Sequence, residues 1–378
     1  MSPLNELIHK FKTNENIQIS DLKVIENLRL NELKSLKHLL FDFTWKTFGH
    51  VTFSKNIFIP VTYLCRNNCS YCGFRKEPSK FGKLIMSLSE IKLLLEKAKK
   101  NDCKEILLTF GEKPEEKYPE IRDELTKIGY TSLHEYHLHI CNIITDSGLL
   151  PHSNPGLLTF KELDELKKVN ASMGLMLESS SERLCDEGGP HEKSPSKMPK
   201  KRIEMIKNAG KLKIPFTTGI LIGIGETFSE RVESLIEIKK LHQKYGHIQE
   251  IIIQNFLPKK GTEMEHVNHV PIDEIIKTIM IARLIFRDTM SIQVPPNLTI
   301  YNLDEILGSS INDLGGISPI TLDEINPEMK WPTEEELNHS CKKNGLTLKE
   351  RLPVYPQFIN SEFLSQKVLK IIKSFLNQ

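Results

Sequence analysis

From residue 57 onward the chain alternates short apolar runs with amphipathic stretches of helix length, and this alternation restricts the fold more than any other feature. Strand candidates cover 57–63, 104–109, 149–153, 171–178, 214–222, 248–254 and 290–294, with an eighth at 312–317. Helical stretches lie between them at 88–100, 119–128, 132–147, 159–169, 199–209, 228–244 and 272–287. Several open on capping signals, at Ser87-Leu88-Ser89-Glu90, Thr159 and Thr227. Strand–helix–strand units make parallel sheets, because a parallel partner can be reached only by a crossover. The pattern predicts an α/β fold, a closed or nearly closed (β/α) TIM-type barrel. An open doubly wound sheet is the alternative, and both architectures put chemistry at the C-terminal ends of strands.

Around this unit, residues 1–48 read as an N-terminal helical cap, with Leu22, Ile25, Leu28, Leu30, Leu33 and Leu36 at helix-like spacing. The barrel is expected over 49–335. A C-terminal helical extension, 336–378, ends in an amphipathic helix carrying Val368, Ile371, Ile372 and Phe375. With 378 residues, 39% hydrophobic and 26% charged, the chain reads as globular. A formal charge of +2 gives no electrostatic case for nucleic acid. Basic runs such as Lys97–Lys100 and Lys200–Arg202 read as solvated helix faces. Met1 is followed by Ser2-Pro3-Leu4-Asn5-Glu6, without an apolar signal core, and no apolar run reaches membrane-spanning length, so a cytoplasmic protein is expected. Cys103, Cys141, Cys185 and Cys341 are scattered and suggest no disulfide framework, which suits a reducing compartment.

The remaining three cysteines fall within eight residues, Cys65-Arg66-Asn67-Asn68-Cys69-Ser70-Tyr71-Cys72, just after the first strand candidate. Thiolates on one short loop can converge on soft metal. Three cannot fill a four-ligand site, so a four-iron cluster held here would keep one iron open. Structural zinc needs a fourth ligand, and the nearest histidines, His50 and His134, are not at zinc-finger spacing. Accidental clustering of buried thiols conflicts with the polar loop residues Arg66, Asn67, Asn68 and Ser70.

The C-x3-C-x2-C spacing after a first strand resembles the cluster loop of the radical S-adenosylmethionine (SAM) superfamily. The resemblance implies that Cys65, Cys69 and Cys72 hold a [4Fe-4S] cluster whose open iron chelates SAM. Reductive cleavage of SAM would then give methionine and a 5′-deoxyadenosyl radical. Tyr71 would pack beside the cluster, and backbone near Phe74 would touch adenine. Thr109-Phe110-Gly111-Glu112 resembles the element that contacts the SAM amino group through Gly111 and Glu112, with Phe110 standing where many relatives have a second small residue. A plain strand-end turn would also account for Gly111. Glu178, ending the fourth strand candidate, would hold the ribose hydroxyls, while the serines after it offer a capping signal. Gly219–Thr227, including Gly223 and Gly225, resembles the segment that lays backbone against adenine, and Glu226 also reads as a first-turn acid. Gln254–Thr262 resembles the corresponding loop of the biotin-synthase-like branch, though Pro258 and Gly261 alone signal only a turn.

Further segments sit at strand ends where a substrate pocket would open: 151–156, 188–191, 295–297 and 312–319. They supply His152 and His191 as acid/base residue types. Val51–Asn56, Gly148–Gly156, Gly188–His191 and Asn312–Pro319 resemble the 7,8-didemethyl-8-hydroxy-5-deazariboflavin synthase family, CofG subunit, over about residues 45–335. The loop His191–Pro195 departs from that family's glycine- and histidine-rich pattern. The resemblance implies a radical SAM lyase/cyclase that forms the deazaflavin chromophore Fo, the coenzyme F420 precursor. Its substrate would be 5-amino-5-(4-hydroxybenzyl)-6-(D-ribitylimino)-5,6-dihydrouracil, supplied by a separate CofH-type subunit, and it would need a low-potential electron donor. Other enzymes of the branch, such as the menaquinone-pathway cyclase or a tyrosine lyase, share the SAM motifs. A non-catalytic iron–sulfur or zinc protein would have no use for a nucleoside-binding barrel.

Overall fold

Three helices precede the first strand in the computed structural model, which describes residues 1–80 and 83–377: α1 (Pro3–Lys12), α2 (Ile19–Asn27) and α3 (Lys34–Phe48). The last residue of the expected 336–378 extension therefore lies outside the described residues. Gly49, at φ 72°, ends α3 in the left-handed conformation that glycine adopts without strain. Leu22, Ile25, Leu33 and Leu36 are buried, whereas Leu28 and Leu30 are only partly so.

The alternating units follow in chain order. They are β1 (Val51–Thr62), α4 (Leu88–Lys100), β2 (Glu105–Phe110), α5 (Pro119–Lys127), α6 (Leu133–Asp146), β3 (Leu150–Asn154), α7 (Phe160–Lys167) and β4 (Ser172–Gly174). Then come α8 (Pro199–Lys211), β5 (Phe216–Ile222), α9 (Phe228–Tyr245), β6 (Ile248–Asn255), α10 (Ile272–Phe286), β7 (Ser291–Gln293), α11 (Leu303–Leu307) and β8 (Asp313–Ile317). The chain closes with α12 (Glu334–Lys343), β9 (Leu348–Glu350) and α13 (Gln366–Leu376). Reciprocal capping boxes start α4 (Ser87/Glu90), α7 (Thr159/Glu162) and α9 (Thr227/Glu230), where the sequence placed them.

Strands β1 to β8 pair in parallel in sequence order, and β1 also pairs with β2, so the ring closes. This decides for the TIM-type barrel over the open sheet. The cap packs on the outer helices, α2 against α9 and α10, and α3 against α10.

Three departures from the sequence reading have physical causes. β1 begins at Val51 instead of 57, because Thr52, Ser54 and Asn56 interrupt the apolar run; they are nonetheless buried. β4 is three residues long instead of the expected 171–178. Past Gly174 the chain leaves the ladder and returns only through a bridge from Glu178 to Ile220. The C-terminal extension is not wholly helical. Its β9 pairs with Val51–Phe53, the part of β1 that lies before the β2 register begins at Asn56↔Glu105. Arg351 to Tyr355 then turn under the barrel, and α13 packs over the turn in an apolar cluster with Leu150, Val354, Phe358 and Phe363.

Barrel interiors of this class are ordinarily filled by branched apolar side chains. Here the opposite holds in the lower half. Thr52 bonds Asp313, Ser54 bonds Glu105 and Thr217 bonds Glu250, all buried. The odd positions of β1, including Val51, Phe53, Ile57, Ile59 and Val61, make up the core on the other face. The strand alternation is thus apolar toward the helices and polar toward the axis.

Candidate active site

Cys65, Cys69 and Cys72 follow β1 on a loop pinned from both sides. Its Asn68 and Ser70 amides donate to the Lys193 and Pro190 carbonyls, both at 3.0 Å. The Glu112 amide donates to Cys65 Sγ at 3.2 Å, and the Ser194 hydroxyl to Cys69 Sγ at 3.2 Å. All three thiols are free and line a cavity of about 350 Å³ that runs down into the barrel. Burial pushes the Cys69 thiol up to about 12 and raises Cys65 as well. Thiols in such a place become thiolates only beside a cationic group. Among the described residues no three His, Cys, Asp or Glu side chains close around a point as a mononuclear site requires. Three soft donors facing a cavity, two of them already accepting hydrogen bonds at sulfur, fit a polynuclear iron–sulfur group better than a single zinc ion.

Gly111 owes its identity to a close approach. A Cβ there would overlap the Leu64 carbonyl at the base of the cysteine loop, and its own amide donates to Thr62 O at 2.7 Å. Glu112 is buried beside it, with Oε1 accepting from Arg66 at 3.1 Å. Phe74 packs on Tyr63 with ring centroids 4.9 Å apart and lines the cavity.

Glu178 sits at φ 65°, a strained backbone for a carboxylate side chain, and is buried. Tyr71 OH and Lys197 Nζ both bond it, His191 Nε2 is 3.1 Å away and Arg202 is at 3.9 Å. Burial would raise its pKa, but Lys197, followed by His191 and Arg202, holds the carboxyl well below the usual carboxylate range. Tyr71 is 2.9 Å from His191 and packs edge-on against it, so the loop's aromatic joins the thiols to this charged group.

The structure brings Cys65, Cys69, Cys72, Tyr71, Phe74, Gly111, Glu112 and Glu178 to one cavity wall. Gly223 and Gly225 are not on it. They take φ of 95° and 105°, and Glu226 accepts from the Gly223 and Ile224 amides at 2.8 and 2.9 Å, closing the turn. Ile224 between them packs with Cys69 and Tyr71. Glu226 also accepts from Arg231 at 2.7 Å, so it ties a loop down and is more than a first-turn acid. Of the expected pocket segments, His152, Asn154, Gly156, Pro295 and Gly316 reach the cavity, while Gly188 and Gly189 do not. His152 hydrogen-bonds Ser172 at 2.6 Å, and burial lowers its pKa.

Several wall residues were not singled out from sequence. Lys197 carried no motif. Arg202, read as part of a solvated basic face, is 3% exposed and donates to the Met176 carbonyl at 2.7 Å. Arg351 reaches the cavity floor from the C-terminal extension, donating to Asp313 at 2.7 and 2.9 Å and to Glu250 at 2.8 Å. The one usable signal was a charged residue inside each of two strand candidates, Glu105 in 104–109 and Glu250 in 248–254, which is at odds with an apolar interior.

Comparison with known proteins places this geometry. Residues 59–238 match the Radical SAM superfamily. The solved methylornithine synthase PylB shares the fold with a TM-score of 0.71 at 19% identity, covering 91% of this chain and 97% of that one. HydG, a maturase of the [FeFe]-hydrogenase, shares it with a TM-score of 0.75 at 16% identity, covering 98% and 80%. Much nearer in sequence are 7,8-didemethyl-8-hydroxy-5-deazariboflavin synthases. That of Methanococcus maripaludis is 52% identical over 328 residues, 86% of this chain and 97% of the relative. That of Methanopyrus kandleri is 47% identical over 325 residues, 85% and 97%. Membership of the superfamily carries a four-iron cluster and SAM as cofactors. The chain belongs to the radical SAM superfamily and, within it, to the family of 7,8-didemethyl-8-hydroxy-5-deazariboflavin synthases.

Proposed function

We propose that the chain is a radical SAM enzyme that forms the deazaflavin chromophore Fo from 5-amino-5-(4-hydroxybenzyl)-6-(D-ribitylimino)-5,6-dihydrouracil. The observation that carries this reading is the 52% identity to a named synthase across 97% of that protein's length. The polar barrel interior supports it, because a ribityl chain and a pyrimidinedione need many hydrogen-bond partners out of water. Ring closure removes ammonia and two hydrogens from this substrate.

In this reading Cys65, Cys69 and Cys72 ligate the cluster. Held there, the cluster with SAM would supply the one-electron, hydrogen-abstracting chemistry of the reaction. Tyr71 and Phe74 pack beside the bound groups, and Gly111 and Glu112 face the SAM amino group. Glu178 accepts from the ribose hydroxyls, a task that its strongly ionised state favours. Gly223 and Gly225 shape the turn that sets Ile224 beside Tyr71 and Cys69. The barrel wall holds the substrate's reacting atoms close and keeps water out.

The rest of the reading concerns setting. Residues 1–48 act as a cap, 49–335 as the catalytic barrel and 336–378 as an extension that lends Arg351 to the barrel floor. A separate CofH-type subunit supplies the substrate, and a low-potential donor supplies electrons. Among the described residues no helix is long and apolar enough to cross a membrane, and we place the enzyme in the cytoplasm.

The test is anaerobic turnover of the reconstituted protein with SAM, dithionite and the CofH reaction product. The expected result is deazaflavin fluorescence together with 5′-deoxyadenosine. 5′-Deoxyadenosine without fluorescence would discard the deazaflavin reaction and keep the radical chemistry.

A further inference from the structure

Asn56 lies at the middle of β1, six residues before the strand ends at Thr62, or roughly 20 Å along the strand at about 3.3 Å per residue. It lines the cavity and is 1% exposed. Among the described residues neither its amide nitrogen nor its amide oxygen has a hydrogen-bond partner. A buried polar group left unpaired loses its water without compensation, so an apolar residue would serve a purely structural wall better.

The neighbouring strand, β8, is shaped around this amide. Gly316 on β8 stands where a Cβ would run into Asn56 Nδ2. Its neighbour Gly315, at φ 74°, stands where a Cβ would run into the Gln293 amide. A register shift between β1 and β8 sets the two glycines here. Two carboxamides therefore lie against bare backbone and face the cavity below the thiols.

We propose that Asn56 reads the imide edge of the substrate's pyrimidinedione, donating from Nδ2 to a ring carbonyl and accepting the ring N3–H at Oδ1. This assignment rests on the deazaflavin reading above. The chemistry of that substrate orients it. Every bond that changes on going to the product involves the C5 and C6 substituents: the amine leaves C5, and the ribityl-bearing nitrogen joins the phenol ring. The N3–H edge lies on the far side of the ring. With the reacting side toward the cysteine loop, the imide points down the barrel to the depth of Asn56. A carboxamide presents one donor and one acceptor side by side, the complement of a cis-imide.

The experiment measures KM for the substrate and for its N3-methylated analogue, in anaerobic turnover of holoenzyme, with wild type, Asn56→Ala and Asn56→Asp. In wild type, N3-methylation is expected to raise KM about 10- to 100-fold. Asn56→Ala is expected to raise KM for the unmodified substrate by a similar factor, and methylation should then cost it little more, the non-additivity of a direct contact. Asn56→Asp keeps the acceptor and loses the donor, so it should fall between the two. Equal methylation penalties in wild type and variants would overturn the assignment. So would a wild-type enzyme indifferent to methylation, a result that needs no variant to fold. An Asn56→Ala penalty that vanishes with an analogue shortened in the ribityl chain would assign the residue to the polyol and overturn it too. Absence of fluorescent product from wild type with the unmodified substrate would fail the deazaflavin reading itself.

Discussion

The two ends of the barrel handle buried polar groups in opposite ways. At the C-terminal end, three thiols face the cavity, with burial pushing Cys69 up to about 12. At the N-terminal end, Arg351 is held by Asp313 and Glu250, and Tyr355 OH lies 2.7 and 3.0 Å from those two carboxylates. The floor is internally satisfied and acts as architecture, whereas the cysteine loop presents free thiols to the cavity. Glu178 with Lys197 belongs to both kinds, being ion-paired and yet on the wall beside the thiols.

Substitutions at the two ends should therefore fail differently. The largest effect is expected from Cys69→Ala, which should abolish iron-cluster absorbance and SAM cleavage. Chemical denaturation of the metal-free chain should shift by no more than about 1 kcal/mol. Retained turnover would break the assignment of the loop. Arg351→Ala should do the reverse: stability falls by about 3–5 kcal/mol, because two buried carboxylates lose their shared cation. Iron incorporation at low temperature should persist, and a variant as stable as wild type would remove the floor's architectural role.

Glu178→Gln sharpens the contrast by touching both functions. SAM affinity, followed by equilibrium binding, should drop about tenfold. Stability should also fall, by about 2–3 kcal/mol, since Lys197 loses its buried counter-charge. Loss of iron instead would mark Glu178 as a support of the cysteine loop. The smallest effect is a pH slope. Burial, with Asp313 adding to it against the pull of Arg351, raises Glu250 from 4.5 to about 7. The folded protein thus keeps a proton that the unfolded chain gives up. This contribution to stability is complete below about pH 4.5 and is lost as pH rises through about 7. Glu250→Gln should flatten the stability profile across that window, and an unchanged slope would show that another group titrates there.

How much of this could be read in advance differs between the same two ends. The cysteine loop, Tyr71 and Gly111 were placed on the cavity by the sequence because each follows a strand whose period was visible, and Glu178 because it closes an apolar run. β4 was overextended because 171–178 stays apolar after Gly174, although the chain has left the ladder by then. The floor left one local trace, the charged Glu250 inside a strand candidate. Its partner Arg351 is 101 positions away, and nothing near that residue distinguishes it from a solvated surface charge.

The amino-acid sequence by itself determined the succession of elements, the helix starts and the thiol loop. Period, capping and spacing act between residues within a few positions of one another. Only the tertiary structure decided that the sheet closes, that Lys197 and Arg202 turn in to Glu178, and that the last part of the chain returns to seal the floor. The reason is that burial changes what a charge or an amide does. Arg202, Arg351 and Asn56 acquire their roles from neighbours brought together by ring closure, and a linear pattern does not record who those neighbours are.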